Sequence, residues 1–325
     1  MNEFFWGGNT GRGSVNFAKE FFPEAKKRIL IKGGPGTGKS SFIKRLLKRI
    51  ENPVVFYCPS APDSFDTIAD FDLGFFVTDA TAPHILEAEK PGIRDEILNF
   101  GNYWDSSRLR SNQRLVEELS QKNSMHFSLA YACLQKALKF REQLERSLAE
   151  RLHPSLETQY QKIKDEILNR KLHGKNELGK SRNRFVSAYT PFGFKKLKVP
   201  AEKTYTFEGA PTLAKAYLSS LAGIFLTQGF EVLFLIDPLD GMNYEGVYLP
   251  ELKLHIKVVW PAEHHYTSFE RELQGTIKEE ERQGIVQLNK AFLVHEDLEK
   301  LYIAAMDFDR MEKELDEFTD RLFAD

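Results

Sequence analysis

Gly33-Gly34-Pro35-Gly36-Thr37-Gly38-Lys39-Ser40 fits the phosphate-binding template G-x-x-x-x-G-K-[ST] at every fixed position. Just before it, Arg28-Ile29-Leu30-Ile31-Lys32 is a short apolar run that reads as a buried strand. After it, Phe42, Ile43, Leu46, Leu47 and Ile50 recur at helical spacing. The motif therefore lies between a strand and a helix, the context its mechanism requires. An ordinary glycine-rich turn needs neither flank.

The chemistry follows from the geometry. Glycines let the backbone wrap closely around a phosphate in conformations closed to other residues. The loop amides then form an anion nest, and the following helix turns its positive end to the same anion. Gly33, Gly34, Pro35, Gly36, Thr37, Gly38, Lys39, Ser40 and Ser41 are the candidate nucleotide-binding residues. Lys39 is expected to reach the β- and γ-phosphates and Ser40 to hold Mg²⁺ through its hydroxyl.

A length of 325 residues allows two domains or one large one. With 42% hydrophobic and 28% charged residues the composition is that of a globular protein. No apolar run approaches the roughly 20 residues that span a bilayer, and the first residues lack the basic and apolar regions of a signal peptide. The two cysteines, Cys58 and Cys133, have no metal spacing and suit a reducing cytoplasm. A net charge of −2 argues against a broad nucleic-acid-binding surface.

Residues 6–17, rich in glycine and polar groups, read as a surface loop leading to a short helix at 15–22. Arg12 within them is a candidate phosphate contact. After the motif helix, residues 54–58 read as a second strand. A loop carrying Asp63 and Asp66 follows, then a third strand over 73–79. Asp79 closes that apolar run about 40 residues after Lys39. This is the Walker B arrangement, a carboxylate at the carboxyl end of a buried strand, which makes Asp79 the expected partner of Ser40 at Mg²⁺. Thr37 and Thr81 are expected to add polar contacts. Ala80 stands where many ATP hydrolases place a glutamate, so activation of water calls on Asp63, Asp66 or His84.

From 106 to about 173 the pattern is helical. Leu129, Cys133, Ala137, Phe140, Leu144, Leu148 and Leu152 make one stripe, which His153-Pro154 is expected to break into a helical hairpin. Arg108, Arg110 and Arg114 near its start are either phosphate contacts or solvated helix charges. Leu301, Ala304, Phe308, Met311, Leu315, Phe318 and Leu322 form a seam along a final helix, which packs within the chain or joins two copies.

The second half repeats the first in worn form. Thr190-Pro191-Phe192-Gly193 matches Thr10-Gly11-Arg12-Gly13, and Gly209, Pro211 and Lys215 match Gly33, Pro35 and Lys39 in phase. Yet Gly38 becomes Ala214, Ser40 becomes Ala216, Asp79 becomes Val258 and Arg12 becomes Phe192. The second half has thus lost its metal apparatus in several places at once, and it is expected to keep the fold without turning over nucleotide. Asn289-Lys290-Ala291-Phe292 begins like a guanine-reading motif but lacks its acid, which leaves ATP as the default nucleotide.

Gly7-Gly8-Asn9-Thr10, Lys32 to Ser40, Pro62-Asp63-Ser64-Phe65-Asp66 and Asp79-Ala80-Thr81-Ala82-Pro83-His84 resemble a family. It is a poorly characterised group of duplicated P-loop ATPase-like proteins of Gram-positive, spore-forming bacteria. The resemblance covers most of the chain and implies the fold and nucleotide binding rather than one reaction. Both halves of such proteins usually carry a P-loop, and this chain departs from that in its second half.

The expected fold is α/β, a P-loop NTPase three-layer sandwich with a mostly parallel sheet, internally duplicated, with long helical additions. Residues 1–178 are expected to form the intact half, including the hairpin at about 106–173, and 179–325 the degenerate half with a C-terminal helix. The functional expectation is a cytoplasmic protein that binds ATP and Mg²⁺ at one site, with Lys39, Asp79, Asp63, Asp66, His84 and Arg12 as catalytic candidates. Three activities fit: an ATPase acting as a conformational switch, a small-molecule or nucleotide kinase, and a non-hydrolysing assembly module. Beyond nucleotide, the expected partner is a protein or a second copy met through the helical arms.

Overall fold

The computed structural model of the chain describes residues 2–20, 25–82, 85–168 and 177–323. In chain order the elements are β1 (Glu3–Phe5), β2 (Gly7–Thr10), β3 (Gly13–Asn16), β4 (Lys27–Lys32), α1 (Lys39–Leu47), β5 (Val54–Tyr57), β6 (Phe65–Asp70), β7 (Phe75–Asp79), β8 (Asp95–Asn99) and α2 (Ser106–Ser111). Then come α3 (Gln113–Leu168), β9 (Ser181–Arg184), β10 (Ser187–Thr190), β11 (Gly193–Lys196), β12 (Lys203–Glu208), α4 (Pro211–Thr227), β13 (Val232–Ile236), β14 (Tyr244–Leu249), β15 (Leu254–Val259), α5 (Ser268–Ala305) and α6 (Phe308–Leu322). The protein is mixed α/β. Packing divides it into a glycine-loop unit, residues 21–129 and 286–325, and a companion unit, residues 3–20 and 130–285.

In the glycine-loop unit the strands lie in the order β5-β6-β7-β4-β8. β4 is flanked by β7 and β8, both parallel to it. Its sequence, Lys27-Arg28-Ile29-Leu30-Ile31-Lys32, is buried over the four middle residues, as expected of a strand covered on both faces. β6 runs antiparallel to β5 and β7, so the sheet is mixed rather than mostly parallel. The connections 58–64 and 71–74 are too short for the crossover a parallel neighbour needs.

α1 turns Phe42, Ile43 and Leu46 onto Ile29, Ile31, Ile68 and Val77, and α6 adds Met311, Leu315, Phe318 and Leu322 to the same core. Each of those four side chains is worth roughly 1.5–3 kcal/mol on burial. The final seam thus packs within the chain. It is two helices rather than one, because Asp307 caps the amide of Arg310 (3.0 Å) and starts α6 anew.

In the companion unit the order is β9-β13-β14-β15-β12, with β14 antiparallel to β13 and β15, and β15 parallel to β12. Strand for strand, β13-β14-β15-β12 repeats β5-β6-β7-β4 in order and direction. The core is made by α4 and by the end of α3, with Leu156, Ile163 and Ile167 packed on Phe207, Leu218, Phe225 and Ile256. Two hairpins, β2–β3 and β10–β11, have matching turns. Thr10 and Thr190 each donate to the carbonyl of the glycine three residues on (2.9 and 2.7 Å), and Gly13 and Gly193 have φ of +92° and +113°. Residues 7–16 are therefore a hairpin, not the loop and helix start read from their glycines.

The helical hairpin expected at 106–173 is instead α2 followed by one helix of 56 residues with Pro154 inside it. A proline there costs about 3 kcal/mol. Leu144 and Leu148 before it and Leu156, Ile163 and Ile167 after it are all buried, and their burial outweighs that cost. Residues 169–173, the end of the expected hairpin, lie outside the described residues. The division of the chain also falls elsewhere than at 178: it cuts within α3 and α5, and each long helical arm starts in one unit and ends in the other. Asn289–Phe292 lies inside α5.

Candidate functional site

β4 ends at Lys32 and α1 begins at Lys39, so residues 33–38 form the loop between them. Gly36 and Gly38 have φ of +66° and +89°, the left-handed region that glycine enters freely. Gly38 is the helix N-cap and no side chain caps it, which leaves the first amides of α1 to an outside acceptor. Lys39 folds back into the loop, its Nζ donating to the carbonyls of Gly33 (3.1 Å) and Gly34 (2.7 Å). Thr37 is buried and donates to the Gly34 carbonyl at 2.8 Å.

Asp79 closes β7 and pairs in register with Ile31 of β4, two residues before the loop. Its carboxylate lies 3.6 Å from Lys39 Nζ and accepts from the Thr81 amide at 2.9 Å. Thr81 Oγ1 in turn accepts from the Gly33 amide at 3.1 Å. The turn after β7 is thus pinned to the glycine loop by a chain of hydrogen bonds. Ser40, one residue after Lys39, accepts from the Phe65 amide at 3.1 Å, which leaves a lone pair and its proton free for another partner. Lys39, Ser40, Asp79, Thr37 and Thr81 are the expected residues that the fold brings together. Gly33 to Gly38 supply the backbone cradle, and Ser41 faces outward on α1.

The other candidates do not join them. Arg12 belongs to the companion unit, where its Nε and Nη2 bind Asp240 at 3.2 and 3.3 Å. Asp66 is buried on β6 and its carboxylate faces the Cys58 thiol; desolvation, then this acid, pushes that thiol well up. Asp63 is exposed, with its carbonyl holding Lys44 at 2.7 Å. His84 lies outside the described residues. Arg108, Arg110 and Arg114 are exposed on α2 and the start of α3.

α5 supplies a contact that no motif announces. A Cβ on Gly36 would meet the Glu299 backbone carbonyl at 2.7 Å. A Cβ on Gly34 would meet the Tyr302 ring at 2.5 Å. His295, one turn before, stands 3.5 Å from Glu299. His295 first, and then the Gly36 amide and the Lys39 ammonium, hold Glu299 below the usual carboxylate range. One face of α5 thus lies against the loop and lends it an anion.

The corresponding place in the companion unit is built differently. β12 ends at Glu208 and α4 begins at Pro211, so only residues 209 and 210 remain between them. Ala210 has an ordinary φ of −97°, and Lys215 lies inside α4, its Nζ 3.4 Å from the Met242 carbonyl. Val258 pairs with Phe207 where Asp79 pairs with Ile31. A phosphate loop is absent there because the backbone that would form it has become helix.

Comparison of the chain with protein-family models, with curated proteins and with solved structures finds no match. Among the described residues no helix is long and apolar enough to cross a membrane.

Proposed function

We propose that the glycine-loop unit is a P-loop NTPase-type domain that binds ATP with Mg²⁺, and that the protein is a slow cytoplasmic ATPase using this site as a conformational switch. The companion unit is read as a duplicated copy without a nucleotide site, in line with the resemblance to duplicated P-loop ATPase-like proteins. One observation carries the reading: Lys39, Asp79 and Thr81 converge on a loop whose Gly36 and Gly38 adopt positive φ and whose helix start is uncapped. Those groups fit a triphosphate. The loop amides and Lys39 would hold the β- and γ-phosphates. Ser40 and Asp79 would hold Mg²⁺, which when bound neutralises phosphate oxygens.

Glu299 gives the switch its moving part. His295 first, and then the Gly36 amide and Lys39, hold the Glu299 carboxylate below its ordinary range, and a phosphate arriving at the loop would compete for the last two. Nucleotide therefore displaces Glu299, and the face of α5 that carries it must shift or repack. Glu299→Ala is expected to tighten ATP binding by about tenfold, the scale of one charge-assisted hydrogen bond. Titration of wild type and variant with a fluorescent ATP analogue checks it. Equal or weaker binding by the variant would exclude Glu299 as a competitor. Asp63 is the one acid left, of those considered in the sequence, for a phosphotransferase base, and turnover that rises when a hydroxyl acceptor is added would favour that second activity.

A further inference from the structure

The companion unit holds a cavity of about 350 Å³, near the low end of the roughly 300–1,000 Å³ of ligand pockets. It lies past the carboxyl ends of β13 and β15, between Asp237 and Pro238 on one side and Val258 and Trp260 on the other. In open α/β sheets that end is where ligands bind.

Arg141 of α3 lines this cavity and is 6% exposed. Its Nη1 binds both oxygens of Asp237 at 2.8 and 2.9 Å. Its Nη2 and Nε have no hydrogen-bond acceptor among the described residues; Nε stands 3.7 Å from Glu145 Oε1, beyond hydrogen-bond reach. Glu145 offsets part of the charge of that edge without accepting a hydrogen bond from it, and the edge's two parallel donors match a carboxylate.

Arg141 is not the only charge. Glu281 lines the cavity, accepting from Tyr189 Oη at 2.6 Å, and Glu245 lines it beside Lys196 at 3.2 Å. Desolvation raises both carboxyls above their ordinary range, so a cationic group beside them would be welcome. A ligand carrying both charges would complement the Arg141 edge and add a cation to acids that already have Lys196 and Lys278 near them. No group of His, Cys, Asp and Glu among the described residues is placed to hold a metal ion. The remaining walls are apolar, with Leu144, Ile277 and Trp260 among them.

We propose that this cavity binds a small zwitterion of the α-amino-acid class, its carboxylate at the Nε and Nη2 edge of Arg141, its ammonium facing Glu281 and its side chain among Leu144, Ile277 and Trp260. None of its lining residues belongs to the glycine loop.

The test is thermal-shift screening of the full chain with the common L-α-amino acids, followed by calorimetry. Leucine and phenylalanine are each compared with the matching amine and the matching carboxylic acid. At least one amino acid is expected to bind, with the amine and the acid each weaker by about tenfold or more. Glu281→Gln, which keeps shape and removes charge, is expected to weaken the amino acid by about tenfold and to leave the carboxylic acid unchanged. Arg141→Lys is expected to lose binding, and the Glu281 variant stands in where loss of the Asp237 pair unfolds the protein. Absence of binding by every amino acid tested, or amines and acids that bind as tightly as their amino acid, would overturn the assignment.

Discussion

Asp95→Ala is expected to destabilise the protein by about 3–5 kcal/mol, the scale for stripping one partner from a buried ion pair. Arg28 is 1% exposed and gives both Nε and Nη2 to Asp95, at 2.6 and 2.7 Å. The same carboxylate accepts from the amides of Glu89 and Lys90 and from Arg94 Nε. Removing it leaves a buried guanidinium without its bidentate acceptor and frees two amides. Urea unfolding measures the loss. Arg28→Met with Asp95→Leu together is expected to recover part of it, since the stranded guanidinium is removed while the amides of Glu89 and Lys90 stay without their acceptor.

The same pair sets an acid limit. Arg28 above all holds the Asp95 carboxyl far below its ordinary range, with Arg94 and the two amides adding to it. A depressed carboxyl contributes stability above its unfolded pKa of about 3.9, and that contribution falls away as pH drops toward the folded value. Wild-type stability is therefore expected to decline below about pH 4 more steeply than that of Asp95→Ala. Parallel slopes would mean that Asp95 is not the linked group.

Gly36→Ala is expected to cost about 3 kcal/mol and to weaken nucleotide binding with it. Two effects add. A φ of +66° carries roughly 1–2 kcal/mol of strain for a residue with a side chain. The new Cβ would also stand 2.7 Å from the Glu299 carbonyl and 2.9 Å from Ile303, and overpacking of that kind costs roughly 1–3 kcal/mol. Gly92→Ala is the control, since Gly92 has φ of +75° and nothing within 4 Å of the added atom. Equal losses at the two positions would mean that α5 does not press on the loop in solution.

What could be read from the sequence follows from how local each signal is. The β4-loop-α1 passage was legible because Ile29 to Ile31, the glycines and Phe42 to Leu46 are contiguous and each obeys a short-range rule. Asp79 was legible as the end of an apolar run, and its register with Ile31 follows from two parallel strands of similar length. β6 was not, because Asp66 and Asp70 break the apolar pattern while being buried. The continuity of α3 was hidden by Pro154, whose local cost is outweighed by side chains that reach a different part of the chain. Glu299 and Tyr302 had no signal at all, since a helix packing on a loop more than two hundred residues away leaves no periodic trace in either. The pairing of Arg12 with Asp240 had no signal, since the two are more than two hundred residues apart in sequence.

The central claim is a single nucleotide site at the glycine loop, and ATP titration in the presence and absence of Mg²⁺ tests it most directly. Wild type, Lys39→Ala and Lys215→Ala are compared by calorimetry, with the products analysed from the same samples. Mg²⁺-dependent binding at one site per chain, weakened by about a hundredfold or more in Lys39→Ala and unchanged in Lys215→Ala, is the predicted result. Binding that survives Lys39→Ala, or that disappears in Lys215→Ala, would contradict it.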